Sequence, residues 1–166
     1  SHISQYAVMR GEAEVEGDKL NVVLEHQSFV IKTTLTLPEA GYFVNNISLK
    51  SFYQNDKSAN ITCAGWQNIK DFVVYHNAFS SLTMCFGDTV ESGSGTGWIL
   101  DGDTITVYLI GYGEIQINEG DYWTISLDSY LDDEYSELVG KKTFDAAKTL
   151  EKGKMYRLNL DLEPES

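Results

Sequence analysis

Apolar and polar positions alternate along almost the whole chain. In "SFVIKTTLTL" the residues Phe29, Ile31, Leu35 and Leu37 fall on one side, with Lys32, Thr34 and Thr36 on the other. The same period of two aligns Ile47, Leu49 and Tyr53 in "NNISLKSFY", and Leu82, Met84 and Phe86 in "SLTMCF". It also aligns Ile105, Val107 and Leu109 in "TITVYLI", and Trp123, Ile125 and Leu127 in "DYWTISL". Side chains two apart on a strand share a face, so each stretch predicts a strand with one buried side. Upstream, Leu20, Val22 and Leu24 run in step to His26. That phase predicts His26 at the end of a buried face, as a satisfied structural residue rather than a ligand or base.

The most regular stretch closes the chain. After a turn signal at Lys152-Gly153, "MYRLNLDL" places Tyr156, Leu158, Leu160 and Leu162 on one face, and Arg157, Asn159 and Asp161 on the other, before Pro164. Such a strand either closes its own sandwich or is offered to a neighbouring chain by β-augmentation. Turn chemistry separates the strands at Glu16-Gly17-Asp18, Asp101-Gly102-Asp103 and Asn118-Glu119-Gly120-Asp121. Strands at this spacing, without long amphipathic helical segments between them, predict an all-β sandwich or barrel and argue against a parallel α/β sheet. "SYLDDEYSELV" (129–139) is the one candidate for a short helix, or else an ordered acidic loop, and "ESGSGTG" (91–97) reads as a flexible connection.

Composition narrows the function classes. The chain has 166 residues, enough for one domain with a sizeable core. We read residues 1–166 as a single domain, with the opening "SHIS" (1–4) as an expression scar. A net charge of −13 disfavours nucleic acid and anionic membranes, which require clustered positive charge. No apolar run approaches the ~20 residues of a membrane-spanning helix.

Signatures of catalysis are missing. Ser94 lacks the glycine of a G-x-S-x-G elbow, "GSGTG" has neither the spacing nor the context of a dinucleotide loop, and there is no P-loop. His76 in "VVYHNAF" reads as a surface residue at a strand end. Asp101 and Asp103 could face a cation, but EF-hand spacing is absent and a hairpin turn accounts for them. The reading is therefore of a non-enzyme without cofactor or metal. Cys63 and Cys85 match no metal spacing. They are either two free thiols or, in an exported chain, a disulfide worth about 3 kcal/mol by loop entropy. Three tryptophans and ten tyrosines allow a sugar-stacking platform, because apolar sugar faces pack on aromatic rings. Trp123 is in phase with the core, which leaves Trp66 and Trp98 as platform candidates, each also readable as a covering residue.

Three stretches together resemble the fimbrillin-like proteins, the major-fimbrial-subunit superfamily of Bacteroidales surface pili. They are "LNVVLEHQSFVIKTTLTLPEAGYFVNNISLKSF", "DGDTITVYLI" and the closing "KTFDAAKTLEKGKMYRLNLDLE" with its G-K-x-Y before an alternating strand. They cover about half the chain, which has room for one β-domain where family members usually have two. The resemblance implies a Greek-key, transthyretin-like sandwich, export as a lipoprotein to the outer membrane and cell surface, and assembly with other fimbrial subunits by strand exchange. It also implies removal of the first strand by an arginine-directed protease. Arg10 is the only Lys or Arg before Asp18, so Arg10-Gly11 is where that cleavage would fall; otherwise Arg10 is a solvent-facing residue. Two functional expectations follow: an adhesive structural subunit of a fimbria that contacts a surface glycan or protein, or a carbohydrate-binding sandwich module.

Overall fold

The structure is a computed structural model, and it describes residues 9–13, 15–20, 22–67, 74–86, 90–92 and 95–165. For residues 10, 12, 63–67, 74–78, 90–92 and 95–96 it describes the backbone only. The strands in chain order are β1 (Met9–Glu12), β2 (Val15–Glu16), β3 (Lys19–Leu20), β4 (Val23–His26), β5 (Ser28–Thr36) and β6 (Phe43–Phe52). Next come β7 (Thr62–Gln67), β8 (Val74–Phe79), β9 (Ser81–Cys85), β10 (Val90–Ser92), β11 (Gly95–Ile99) and β12 (Thr104–Tyr112). The last are β13 (Ile115–Ile117), β14 (Tyr122–Leu131), β15 (Glu134–Thr143), β16 (Lys148–Leu150), β17 (Met155–Asp161) and β18 (Glu163–Pro164). The protein is all-β, and no helix occurs among the described residues.

Two sheets face each other across one core. The larger runs β10-β11-β6-β14-β15-β18, with β9 also paired to β6. The smaller runs β12-β5-β17. Their inner faces carry the residues that the alternation assigns to the core. From the smaller sheet come Phe29, Ile31 and Leu35, then Ile105, Val107 and Leu109, then Leu158. The larger sheet supplies Val44, Ile47, Leu49, Leu82, Trp123, Ile125, Leu127 and Leu138. The short pair β13–β16 adds Ile115, Ile117 and Leu150. Thr33 is the polar intruder on β5's inner face, and its hydroxyl donates to the Ile31 carbonyl at 3.3 Å, which satisfies a group that would otherwise be costly to bury.

The closing strand pairs with β5, parallel, from Met155↔Val30 to Asp161↔Thr36. Its inner face is as the alternation predicts: Leu158 and Leu162 are buried, and Tyr156 and Leu160 are half-buried against the same core. Arg157, Asn159 and Asp161 face solvent. Chain continuity then carries the polypeptide across to the other sheet, where β18 pairs with Leu138 and Val139 of β15.

Four sequence expectations are corrected. Residues 129–139 form neither a helix nor a loop but the turn and arms of the β14–β15 hairpin, with Leu131 opposite Glu134. Leu131, Tyr135 and Leu138 are spaced as on a helix, yet Asp132 and Asp133 both adopt positive φ (50° and 64°), the twist a two-residue hairpin turn requires and one that Asp tolerates. The 91–97 stretch is not a plain connection, because Val90–Ser92 pairs with Gly95–Gly97. Asp101-Gly102-Asp103 is not a hairpin turn: it passes from β11 in one sheet to β12 in the other, and the Asp103 carbonyl accepts the Leu37 N–H at 2.7 Å. A bulge at Asn45, where the β6–β14 register shifts between Asp128 and Ser129, also explains why alternation in "FVNNISLKSF" becomes regular only from Ile47. β6 ends at Phe52, so Tyr53 lies beyond the strand and is exposed rather than in line with Leu49.

Burying a leucine contributes roughly 1.5–3 kcal/mol, against about 5–15 kcal/mol for a whole domain. Leu158→Asp, which adds an unpaired charge on the inner face, is expected to unfold the protein, whereas Arg157→Ser on the outer face leaves the thermal melt nearly unchanged. Equal tolerance of both would contradict the packing of β17. Asp133→Pro, whose ring holds φ at about −65° and cannot adopt the positive φ, is expected to destabilise by more than about 1 kcal/mol in denaturant titrations; an unchanged stability would argue against the hairpin turn.

Candidate functional site

The described residues between 9 and 26 form a β-ribbon whose strands pair with one another and with no strand of the two larger sheets. β1 pairs antiparallel with β4, from Met9↔His26 to Glu12↔Val23, and β2 pairs with β3 around a turn where Gly17 has φ 60°. The expected alternation is present, but among the described residues no sheet covers it. Met9, Val15, Leu20, Val22, Val23 and Leu24 are between 44% and 74% exposed. A Cβ on Gly11 would lie 2.7 Å from Val22 Cγ1 and 2.8 Å from Leu24 Cδ2, so these two side chains rest on the bare glycine rather than on a core. His26 is accordingly exposed, which corrects the expectation of a buried structural histidine.

An isolated two-stranded ribbon is marginally stable in water, and a cluster of exposed large apolar side chains on a folded domain marks an interaction surface. At the ribbon's root the Gly153 N–H donates to the Ser28 carbonyl at 2.8 Å, and the Val30 N–H to the Lys154 carbonyl at 3.0 Å. A cleft of about 140 Å³ opens there, lined by His26, Ser28, Val30, Ile110, Gly153, Lys154 and Met155. β17 begins at this cleft, and among the described residues no strand pairs with its outer edge. An unpaired edge is a template for another strand, and the charges of Arg157 and Asp161 on this strand are the usual means of discouraging unwanted partners.

Arg10 lies within β1, opposite Glu25, and its side chain is outside the described residues. Cleavage after Arg10 would remove the Met9↔His26 and Arg10↔Glu25 pairs and release the end of β4 next to the sandwich. Met9 is exposed and is not part of the core.

The other sequence candidates fall as follows. Trp98 pairs with Val44 and packs on buried Phe86, ring centroids 5.1 Å apart, which leaves it 37% exposed as a cover over the core edge. The Trp66 side chain lies outside the described residues, as do those of Cys63 and His76; His76 sits within β8 rather than at its end. Cys85 is a free, exposed thiol. Trp123 is buried, edge-on to Phe144 at 4.8 Å, with no partner for its indole N–H among the described residues. Among those residues no three His, Cys, Asp or Glu side chains gather as a metal cluster, and no helix is long and apolar enough to cross a membrane.

An outer-face feature was not anticipated. Ile99, Phe43, Tyr130 and Tyr135 line up across β11, β6, β14 and β15, since each pairs with the next. Phe43 and Tyr130 are 6.4 Å apart and Tyr130 and Tyr135 5.4 Å, the second an edge-on contact. The signal was legible only with the register known, because the row comes from four separate segments. No protein-family model matches the chain, and no curated protein matches it.

The Tyr135 hydroxyl donates to Asp128 Oδ1 at 2.6 Å. That bond, with lesser help from burial and nearby negative charge, pushes the phenol up to about 12 from 10.0. A raised folded-state pKa means that the bond stabilises the fold fully below the unfolded value of 10.0 and is lost as pH rises through about 12. NMR titration of the tyrosine ring carbons is expected to find Tyr135 ionising near that upper value and Asp128→Asn moving it back toward 10.0. An unchanged titration in the variant would contradict the pairing.

Proposed function

We propose that this chain is a non-enzymatic structural and adhesive subunit of a bacterial cell-surface fimbria, which joins further subunits by β-strand exchange. The observation that supports the reading is the ribbon between residues 9 and 26, whose apolar side chains find no cover among the described residues. A second chain would supply that cover. In this scheme the open edge of β17 accepts a strand from the ribbon of a neighbour, so that backbone hydrogen bonds give affinity and alternate side chains give register. Processing at Arg10-Gly11 would free the end of β4 for this exchange. The resemblance of the closing "GKMYRLNLDLE" to fimbrillin-like proteins points the same way, with export and anchoring at the outer membrane as part of the same proposal.

Because the ribbon's side chains are exposed in the single chain, replacing them changes its stability by no more than about 0.5 kcal/mol. Val23→Ser with Leu24→Ser is therefore expected to leave the thermal melt in place while weakening self-association in sedimentation velocity, before and after treatment with an arginine-specific protease. A chain that stays monomeric at every concentration, cleaved or intact, would remove the proposal. Self-association that is indifferent to the ribbon substitutions would assign assembly to another surface.

A further inference from the structure

At one end of the sandwich, the turn after β6 and the turn before β14 border an open cleft of about 470 Å³ lined by Tyr53, Gln54, Asn55, Asn118, Glu119 and Asp121. That volume lies in the range of small-molecule sites, about 300–1,000 Å³. We propose that it binds the neutral sugar unit of a glycan.

The cleft is held in shape from beneath. Asp121 is buried, and its two carboxylate oxygens accept the backbone N–H groups of Gln54 (3.3 Å) and Asn118 (2.9 Å), one from each turn. Tyr122 donates its hydroxyl to Asp56 Oδ1 at 2.6 Å, which ties the 53–57 turn to β14. Asn55 Oδ1 accepts the Lys57 N–H at 3.1 Å, and the Tyr53 N–H donates to the Lys57 carbonyl at 2.8 Å. Gly120 has φ 87°, and a Cβ there would lie 2.8 Å from Gln54 Cδ, so the Gln54 side chain crosses the glycine and is seated by it. The turns are thus fixed before any ligand arrives, which lowers the ordering cost of binding.

The exposed groups match the hydroxyls of a sugar. Gln54 and Asn118 side-chain amides make no hydrogen bond among the described residues, and each offers both a donor and an acceptor. Asn55 keeps its N–H₂ as a donor, Glu119 supplies acceptors, and the Tyr53 ring, 42% exposed, offers an apolar face. A sugar hydroxyl donates and accepts at once, and a sugar ring has an apolar face, so amides beside a tyrosine suit it on both counts. Other classes fit worse. No Lys, Arg or His lines the cleft, and the chain's net charge is −13, so an anion finds no counter-charge. The oxygens of Asp121 already receive N–H donors, which leaves Glu119 as the one free carboxylate for a cation. This site is distinct from Trp98, which covers Phe86 elsewhere on the larger sheet, and it does not depend on fibre assembly.

The test is titration of the intact chain, followed by NMR amide shifts and calorimetry, with D-glucose, D-galactose, D-mannose and N-acetyl-D-glucosamine. N-acetylneuraminic acid and calcium chloride serve as the charged comparisons. At least one neutral sugar is expected to give saturable shifts centred on 53–57 and 118–121. Tyr53→Ala and Asn118→Ala should each weaken its binding about tenfold, the loss of one stacking or hydrogen-bonding contact. Their exposed positions leave the melting temperature unchanged, and Trp98→Ala leaves the affinity unchanged. The proposal is overturned if no neutral sugar binds, if shifts centre on other residues, or if both variants bind as tightly as the parent. It is equally overturned if N-acetylneuraminic acid binds as well as any neutral sugar, or if calcium alone reproduces the shifts. Val23→Ser with Leu24→Ser should bind sugar normally, so failure of the assembly proposal and failure of this one are read separately.

Discussion

The register of β5 between β12 and β17 is the constraint on which the sandwich depends. β5 pairs antiparallel along its whole length with β12 and parallel with β17. Ile31, Leu109 and Tyr156 therefore share one inner-face row, and Leu35, Ile105 and Leu160 another. A slip of one residue would turn every one of these side chains toward solvent, because the side-chain period of a strand is two. The larger sheet obeys the same condition through β6 and β14, where Leu49 faces Ile125 and Ile47 faces Leu127. The core is the meeting of two independently phased faces, and hydrophobic burial supplies the penalty that holds each phase.

This explains what the residue order could and could not reveal. Phase is local, so the inner faces of β5, β12, β14 and β17 were legible from alternation alone, residue by residue. Partners are not local. Nothing in "MYRLNLDL" distinguishes a strand that closes an antiparallel sheet from one that lies parallel to β5, since the same inward leucines serve both. Turn type was only partly legible. Asn118–Asp121 carries glycine at its positive φ and was read as a turn, whereas Asp132-Asp133 holds two positive φ angles without glycine and was read as helix or loop.

The ribbon marks the opposite limit. Leu20, Val22, Leu24 and His26 alternate as well as many core strands do, and from the sequence they should have been buried. Alternation records that a face is apolar, not that the same chain covers it. A buried face and an unpartnered face are written alike, and only the fold distinguishes them. The site candidates divide in the same way. Trp98 was singled out because, unlike Trp123, it is not in phase with the core, but its partner is Phe86. Gln54, Asn55 and Asn118 are ordinary turn residues whose significance comes from two distant turns being fastened by Asp121, which lies 67 positions from Gln54 in the chain.

Asp121 also shows how the rigid sandwich and the open cleft are linked. It is the first residue before β14, and the strand's pairing with β6 and β15 fixes its position. The Phe144 N–H donates to its carbonyl at 2.9 Å, and the Gly120 N–H donates to the Phe144 carbonyl at 2.8 Å. The turn is thereby held to the end of β15, while the carboxylate reaches across to the turn after β6. One buried acid takes its negative charge into the structure only because backbone N–H groups from both turns point at it, and that same need draws the turns together. The exposed amides of Gln54 and Asn118 above it are then free of structural duty. A surface whose scaffold is satisfied from below, and whose upper side chains are not, is the arrangement that leaves polar groups available to a ligand without cost to the fold.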